Sequence, residues 1–205
     1  MHRLSFGNLP CVLALGLGLG CSPAHAQVSI GETAPGFTLT AADGSSHSLE
    51  AYRGKIVVLE WINFECPFVQ KHYSSGAMQQ LQSRYTGKDV VWLIINSSAT
   101  GKQGHYEGDE LADRIAKAKI NADAYLLDTK GEVGRRYGAR TTPHMYVIDA
   151  KGVLVYQGAI DSIRSARPAD ISKADNYVAL ALDALLAGEA LRTTQTEPYG
   201  CSVKY

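Results

Sequence analysis

The segment Ile56-Val-Val-Leu-Glu-Trp-Ile-Asn-Phe-Glu-Cys-Pro-Phe68 decides the fold of this chain. Its first seven residues have the length and the β-branched content of a buried strand. Pro67 suits the first turn of a helix, and apolar residues recur every four positions from Val69 toward Tyr85, which predicts one helix over this stretch. Cys66 is therefore predicted to lie at a strand-to-helix turn, at the start of the first long helix.

The rest of the chain continues the alternation of strands and helices. Apolar patterning predicts strands at 90–95 and 125–127, a hairpin of 145–149 with 153–156, and helices at 111–118, 130–137 and 173–187. This order predicts an α/β fold in which helices flank a central mixed sheet. The sequence shows no repeat and no second domain, so residues 27–205 are predicted to form one domain that ends in a polar tail, 189–205.

Residues 1–26 have the features of a signal peptide. Arg3 precedes the apolar run 11–19, and Ala24-His-Ala26 resembles a cleavage site. The run is about half the length needed to cross a bilayer core, so no transmembrane span is expected. Lipid attachment at Cys21 is a less favoured alternative. These features predict a periplasmic or secreted protein.

Charge and composition disfavour several classes of partner. The chain has 20 basic and 20 acidic residues and no basic stripe, which argues against nucleic acid and anionic membranes as partners. The scattered histidines have no metal-ligand spacing, and no phosphate-binding loop is present, so neither a metal nor a cofactor is predicted.

Cys66 is the strongest candidate for chemistry. A thiolate is the nucleophilic form of cysteine, and the amides and dipole of a helix N-terminus stabilise its negative charge. The alternative is an inert, buried cysteine that fills space in the core. Lys71 and His72 follow on the same helix, where a solvated surface role explains them as well as a role near the thiolate.

Three stretches carry a resemblance to a known family: Trp61-Ile-Asn-Phe-Glu-Cys-Pro-Phe68, Thr142-Pro-His-Met-Tyr-Val-Ile-Asp149 and the closing Gly-Cys-Ser-Val-Lys-Tyr205. Together they resemble the peroxiredoxin-like branch of the thioredoxin superfamily, the alkyl hydroperoxide reductase and thiol-specific antioxidant group. The resemblance implies a thioredoxin fold, with Cys66 as the reactive cysteine and Pro143 as the cis-proline that faces it. The residues expected to line the site are Asn63, Pro67, Thr142, Pro143 and His144.

The sequence also departs from the patterns of that superfamily. Val69 stands where disulfide-exchanging thioredoxins carry a second cysteine. Asn63 and Leu59 replace the threonine and the proline of the peroxiredoxin motif. The arginine of those enzymes has no equivalent at its usual place, and Arg140, three residues earlier, is interpreted as a surface residue. These departures weaken the case for peroxidase activity.

Cys201 is the only other cysteine that certainly remains after the predicted leader is removed. It could resolve an oxidised Cys66 of its own chain, resolve that of a partner chain, or form a static disulfide that pins the tail. A static bridge would close a loop of about 135 residues and constrain the unfolded chain by about 5 kcal/mol. The sequence does not separate the three.

The resulting hypothesis is an exported thiol oxidoreductase with an antioxidant, peroxiredoxin-like role. In it Cys66 reacts with a peroxide or with a protein or small-molecule disulfide, Cys201 resolves the product, and an unidentified thiol donor reduces the disulfide. Two alternatives remain: a thiol-disulfide exchange protein without peroxidase activity, and a non-catalytic thioredoxin-fold module with a structural bridge between Cys66 and Cys201.

Overall fold

The structure is a computed structural model that describes residues 1–2 and 27–205. The apolar run, Cys21 and the cleavage site of the predicted signal peptide lie outside the described residues, so the signal peptide stays a prediction. Within the described part of the chain, no helix has the length and apolar character needed to span a membrane.

A seven-stranded mixed sheet forms the centre of the molecule, and its strand order is β2-β1-β5-β4-β3-β7-β8. The pairs β3–β4 and β4–β5 are parallel, whereas β3–β7, β7–β8, β1–β2 and β1–β5 are antiparallel. A second, two-stranded sheet joins β6 to β9 near the end of the chain. The strands are β1 (Thr38–Ala41), β2 (Ser46–Ser48), β3 (Ile56–Trp61), β4 (Val90–Asn96), β5 (Ala124–Leu127), β6 (Thr141–Thr142), β7 (His144–Ile148), β8 (Leu154–Gly158) and β9 (Cys201–Ser202).

Helices cover both faces of the large sheet, as the sequence predicts. One apolar cluster packs four of them against one face, and a second cluster packs α4 and the 3-10 helix Leu49–Tyr52 against the other. The helices of the first face are α1 (Pro67–Ser74), α2 (Ala77–Tyr85), α3 (Gly108–Ala118) and α5 (Tyr177–Ala187), and α4 is Glu132–Tyr137. The α/β class and the mixed sheet are confirmed.

Two local predictions were wrong, and one hairpin was not predicted. The single helix predicted from Pro67 to Tyr85 is broken into α1 and α2 at Gly76, whose φ of 77° lies in the left-handed region that ends a helix. The opening segment forms the hairpin of β1 and β2, which its polar composition concealed. The closing α-helix begins at Tyr177 rather than near Lys173, because Lys173 is the last residue of a 3-10 helix, Pro168–Lys173, and Asn176 caps the α-helix.

The central strands β3 and β4 are buried along their whole length, which explains their continuous apolar sequence. Glu60 is the exception within β3. Its carboxylate accepts hydrogen bonds from the Tyr73 hydroxyl at 3.0 Å, from the Trp92 indole at 2.7 Å and from the Gln82 amide at 3.2 Å. Burial nevertheless dominates and raises the pKa of Glu60 to about 7.

The raised pKa of Glu60 predicts a stability that falls as the pH rises. Between pH 4.5 and about 7 the unfolded chain releases this proton while the folded protein keeps it. The unfolding free energy should therefore drop by about 3 kcal/mol across that window and level off above it. Urea denaturation of the wild type and of Glu60→Gln at pH 5 and pH 8 measures the effect. A wild-type difference no larger than that of Glu60→Gln would contradict the prediction.

Candidate active site

Cys66 lies between the end of β3 and the first residue of α1. Its backbone is extended, with φ −76° and ψ 121°, and Pro67 begins the helix directly after it. The Cys66 amide donates to the Asn63 carbonyl at 3.0 Å, and its carbonyl accepts from Val69 and Gln70 at 3.0 and 2.9 Å. Cys66 is thus the N-cap residue of α1, at the place that the sequence predicts.

Asn63 shapes the turn in front of Cys66. Its side-chain oxygen accepts from the Glu65 amide at 2.9 Å, and its side-chain nitrogen donates to the Gln103 carbonyl at 3.1 Å. A Cβ atom on Gly104 would lie 2.4 Å from the Asn63 amide group, so the loop around Gly104 needs glycine to approach this closely. Asn63 therefore ties the turn to a neighbouring loop.

The C-terminal tail brings Cys201 to Cys66. Strand β9 pairs with β6 so that Thr142 lies opposite Cys201. The Cys66 thiol donates to the Thr142 carbonyl at 2.9 Å, and the peptide bond between Thr142 and Pro143 is cis, as the resemblance implies. Cys66 is only 1% exposed, Cys201 is half-buried, and both are free thiols. The tail therefore reaches the site within its own chain.

Contacts around the two sulfur atoms shift their pKa values in opposite directions. Burial acts to raise the pKa of the Cys66 thiol, but hydrogen bonds from the side chains of Cys201 and Thr142 and from the amides of Cys201 and Val69 together lower it. Burial, the hydrogen bond to Cys66 and the charge of Cys66 raise the pKa of Cys201. Of the two thiols, Cys66 is therefore the one that ionises more readily, and Cys201 is the one that keeps its proton and donates to it.

Gly200 makes the close approach of the tail possible. Its φ is +143°, and a Cβ atom at this position would lie 2.0 Å from the Thr142 carbonyl oxygen. No side chain larger than hydrogen can occupy this position while β9 remains paired with β6. Glycine next to Cys201 is therefore a requirement of the site.

Contacts beyond Cys201 fix the end of the tail. The Ala99 amide donates to the Lys204 carbonyl at 2.8 Å, and the Val203 amide donates to the Arg140 carbonyl at 3.1 Å. The Tyr205 ring fills a notch in which a Cβ on Gly134 would lie 2.5 Å from the Tyr205 hydroxyl. That hydroxyl donates to the Ala139 carbonyl at 2.7 Å. No pattern in the sequence predicts this notch, because glycine occurs in short helices for many other reasons.

His144 lies apart from the two cysteines. It pairs with Trp61 across the β3–β7 ladder, and its ring contacts Tyr146 at 3.1 Å between Nδ1 and the hydroxyl. Trp61 and Tyr146 belong to the apolar cluster on the face of the sheet opposite α1. Burial, with a smaller contribution from Arg140, lowers the pKa of His144 to about 3, so the ring is neutral. The structure therefore places His144 beside the core rather than at the thiol.

Arg140 lies at the surface, as interpreted from the sequence. Its side chain is 58% exposed, and its guanidinium pairs with Glu197 of the tail at 3.1 Å.

The sequence left two roles open for Lys71 and His72, on a solvated surface or near the thiolate, and the solvated surface is wrong. Both are buried on the inner side of α1, with exposures of 1% and 2%. The Lys71 ammonium forms an ion pair with Asp161 at 2.7 Å, and His72 Nε2 lies 3.6 Å from the same carboxylate. The sequence could not show this burial, because the carboxylate that allows it lies 90 residues further along the chain.

The sheet order, the N-cap cysteine and the cis-proline facing it define a thioredoxin-fold protein with two cysteines at one site. The sequence profile of the AhpC/TSA family matches residues 30–157, and the chain belongs to this family.

Three similar proteins show how far the likeness extends. The chain is 30% identical to the thioredoxin-like protein YneN of Bacillus subtilis over 131 residues, 60% of this chain and 68% of that one. It is 24% identical to the thiol-disulfide oxidoreductase ResA of Bacillus thuringiensis, over 64% of this chain and 70% of the relative. A solved structure of an uncharacterized conserved protein from Geobacillus kaustophilus superposes with a TM-score of 0.74 and 28% identity, over 86% of this chain and 92% of that one.

The hydrogen bonds around Cys66 predict how its pKa responds to Cys201→Ala. This substitution removes the thiol that donates to Cys66, so the pKa of Cys66 should rise toward that of an ordinary cysteine. The pH profile of iodoacetamide alkylation, followed on the peptide that contains Cys66, measures the shift. Glu197→Gln alters the tail away from the sulfur atoms and serves as the control. An unchanged profile in Cys201→Ala would contradict the assignment.

The close contact of Gly200 predicts that Gly200→Ala detaches the tail from β6. The added methyl group collides with the Thr142 carbonyl, so Cys201 should become more exposed and react faster with alkylating reagents. Gly188→Ala is the matched control, because Gly188 also has a positive φ but would meet nothing within 4 Å. Both variants strain the backbone, whereas only Gly200→Ala should accelerate alkylation of Cys201. Equal effects would contradict the prediction.

Proposed function

We propose that this protein is a thiol oxidoreductase in which Cys66 is the nucleophile and Cys201 the resolving cysteine. One observation carries the proposal: two free thiols of the same chain meet at a helix N-terminus, and their pKa values are shifted in opposite directions. A bridge with a purely structural role would not need one sulfur activated as a thiolate.

The chemistry begins at the Cys66 thiolate. With a peroxide, its sulfur attacks one oxygen, the O–O bond breaks, and water or an alcohol leaves as Cys66 becomes a sulfenic acid. With a disulfide, the same sulfur attacks one sulfur atom, the S–S bond breaks, and a mixed disulfide forms as the other thiolate leaves. The peroxide takes two electrons from Cys66 in this step, whereas in the exchange one S–S bond replaces another, and the substrate disulfide has gained its two electrons only after the second cysteine has reacted.

The second step forms the bond between Cys66 and Cys201. Cys201 gives up its proton and its sulfur attacks the Cys66 sulfur. The S–O bond of the sulfenic acid or the S–S bond of the mixed disulfide breaks, and the leaving group departs with a proton as water or as a thiol. The charge of Cys66 contributes to the raised pKa of Cys201, and that charge disappears once Cys66 has reacted. Cys201 therefore becomes easier to ionise only after the first step, which orders the reaction. An external dithiol or two monothiols then reduce the disulfide.

Peroxide is the favoured oxidant because Cys66 is nearly inaccessible while the tail is docked. Cys66 is 1% exposed, so a small molecule can reach it after a slight movement, whereas a protein disulfide requires the tail to leave. Membership of the AhpC/TSA family supports the same choice.

Disulfide exchange is the second candidate. It is favoured by the relatives named thioredoxin-like protein and thiol-disulfide oxidoreductase, and by the ion pair of Arg140 with Glu197, which keeps this arginine away from the thiol.

We further propose that residues 1–26 direct export to the periplasm or the medium. N-terminal sequencing of the exported protein should then find Gln27 as the first residue.

Stopped-flow oxidation of the reduced protein tests the function. Hydrogen peroxide should oxidise Cys66 at least about tenfold faster than it oxidises free cysteine at pH 7, because a larger fraction of this thiol is ionised. In Cys201→Ala a sulfenic acid should accumulate on Cys66 and react with dimedone, and Cys66→Ala should give no adduct.

Two results would change the assignment. A rate equal to that of free cysteine, together with rapid exchange between Cys66 and oxidised dithiothreitol, would establish disulfide exchange instead. A thiol pKa near 8.5, with a bridge that is reduced only under denaturing conditions, would show a structural disulfide.

A further inference from the structure

A buried polar cluster connects the active-site helix to the tail. The Lys71 ammonium donates to Asp161 at 2.7 Å, to the Ile163 carbonyl at 3.1 Å and to the Tyr199 hydroxyl at 3.2 Å. The Tyr199 hydroxyl donates in turn to the other oxygen of Asp161. Lys71, Asp161 and Tyr199 are 1%, 3% and 3% exposed, so these hydrogen bonds are shielded from water.

The members of this cluster lie close to the two cysteines along the chain. Lys71 follows Cys66 by five residues on the same helix, and Tyr199 precedes Cys201 by two residues in the tail. The Tyr199 ring also packs edge-on against Phe68 of α1, with ring centroids 5.7 Å apart. Helix and tail are thus joined at a second point besides the contact of the sulfur atoms.

Stability alone does not explain a cluster of this composition. Removing a lysine and an aspartate from water costs several kcal/mol per ion, and apolar residues of similar volume often stabilise such a site better. The ion pair instead fixes the relative positions of the groups, since each charged group has a partner at a defined distance. Tyr199 bridges both charges and is held in one orientation.

The attachment through Tyr199 lies next to Cys201, where the pairing of β9 with β6 is short. This pairing comprises only Thr141 with Ser202 and Thr142 with Cys201. So short a ladder gives little stability of its own. The Tyr205 notch fixes the chain after Cys201, and Tyr199 fixes it before, so that the cysteine is held from both sides.

We infer that Lys71, Asp161 and Tyr199 are positioning residues that hold Cys201 against Cys66 for disulfide formation. The inference rests on the proposed function, because it takes this disulfide as a step of the cycle. In that step the Cys66–Cys201 bond forms, the sulfenic oxygen leaves as water, and the electrons pass between the two sulfur atoms alone. The cluster supplies proximity and exchanges neither protons nor electrons with the thiols.

Tyr199→Phe tests the inference with the smallest change. It removes the hydroxyl and keeps the ring against Phe68, so the tail should detach more often. After one equivalent of hydrogen peroxide, disulfide formation should be roughly tenfold slower, as expected for the loss of hydrogen bonds to charged groups. The dimedone-reactive sulfenic acid should persist correspondingly longer, and Cys66 should be alkylated faster than in the wild type.

Tyr85→Phe is the matched control. It removes another hydrogen bond from a tyrosine to an aspartate, 2.8 Å long, between Tyr85 and Asp183 at the packing of α2 and α5, away from the tail. Urea denaturation should show that both variants lose stability, whereas only Tyr199→Phe should slow disulfide formation. Asp161→Asn should slow disulfide formation further. If this variant does not fold, the result for Tyr199→Phe alone tests the inference.

Two outcomes would overturn the inference: wild-type disulfide formation in Tyr199→Phe, or equal slowing in Tyr85→Phe. Failure of the proposed function has a different signature. In that case Cys66 of the Cys201→Ala variant, in which nothing resolves the product, would give neither a sulfenic acid nor a mixed disulfide.

Discussion

The antiparallel pairing of Thr142 with Cys201 is the interaction on which the site depends. It closes the space above the N-terminus of α1, so that Cys66 is almost completely buried. Burial alone would suppress ionisation of a thiol, yet the same pairing delivers the Cys201 side chain and amide as hydrogen-bond donors to Cys66. A few backbone contacts therefore determine how accessible Cys66 is, how readily it ionises and which sulfur atom lies next to it.

Features determined by neighbouring residues were predictable from the sequence. Strand β3, the helix start at Pro67 and the N-cap position of Cys66 all follow from a short segment, because strand burial and helix initiation are local effects. The failures at this level have local causes as well. Apolar spacing continues across Gly76 and concealed the break between α1 and α2, and a hairpin of serine and threonine residues lacks the apolar alternation of a typical strand.

Contacts between distant parts of the chain could not be predicted from the sequence. Counting cysteines identified Cys201 as the partner of Cys66, but it left open which chain the tail would reach. The burial of Lys71 depends on Asp161, 90 residues away. The packing of the Tyr205 ring depends on glycines at and within the start of α4. When two contacting residues lie so far apart in the chain, their contact follows from the assembled fold, and no local pattern in the sequence predicts it.

Docking of the tail also links the redox state of the protein to its folding. In the folded, reduced protein the two sulfur atoms are already neighbours, whereas in an unfolded chain about 135 residues separate them. By the closed thermodynamic cycle, a disulfide that stabilises the folded state is itself harder to reduce when the chain is folded than when it is unfolded. The strength of the tail's attachment therefore sets how oxidising the pair is, so that a firmly seated tail makes a weaker oxidant and a loosely seated one a stronger oxidant.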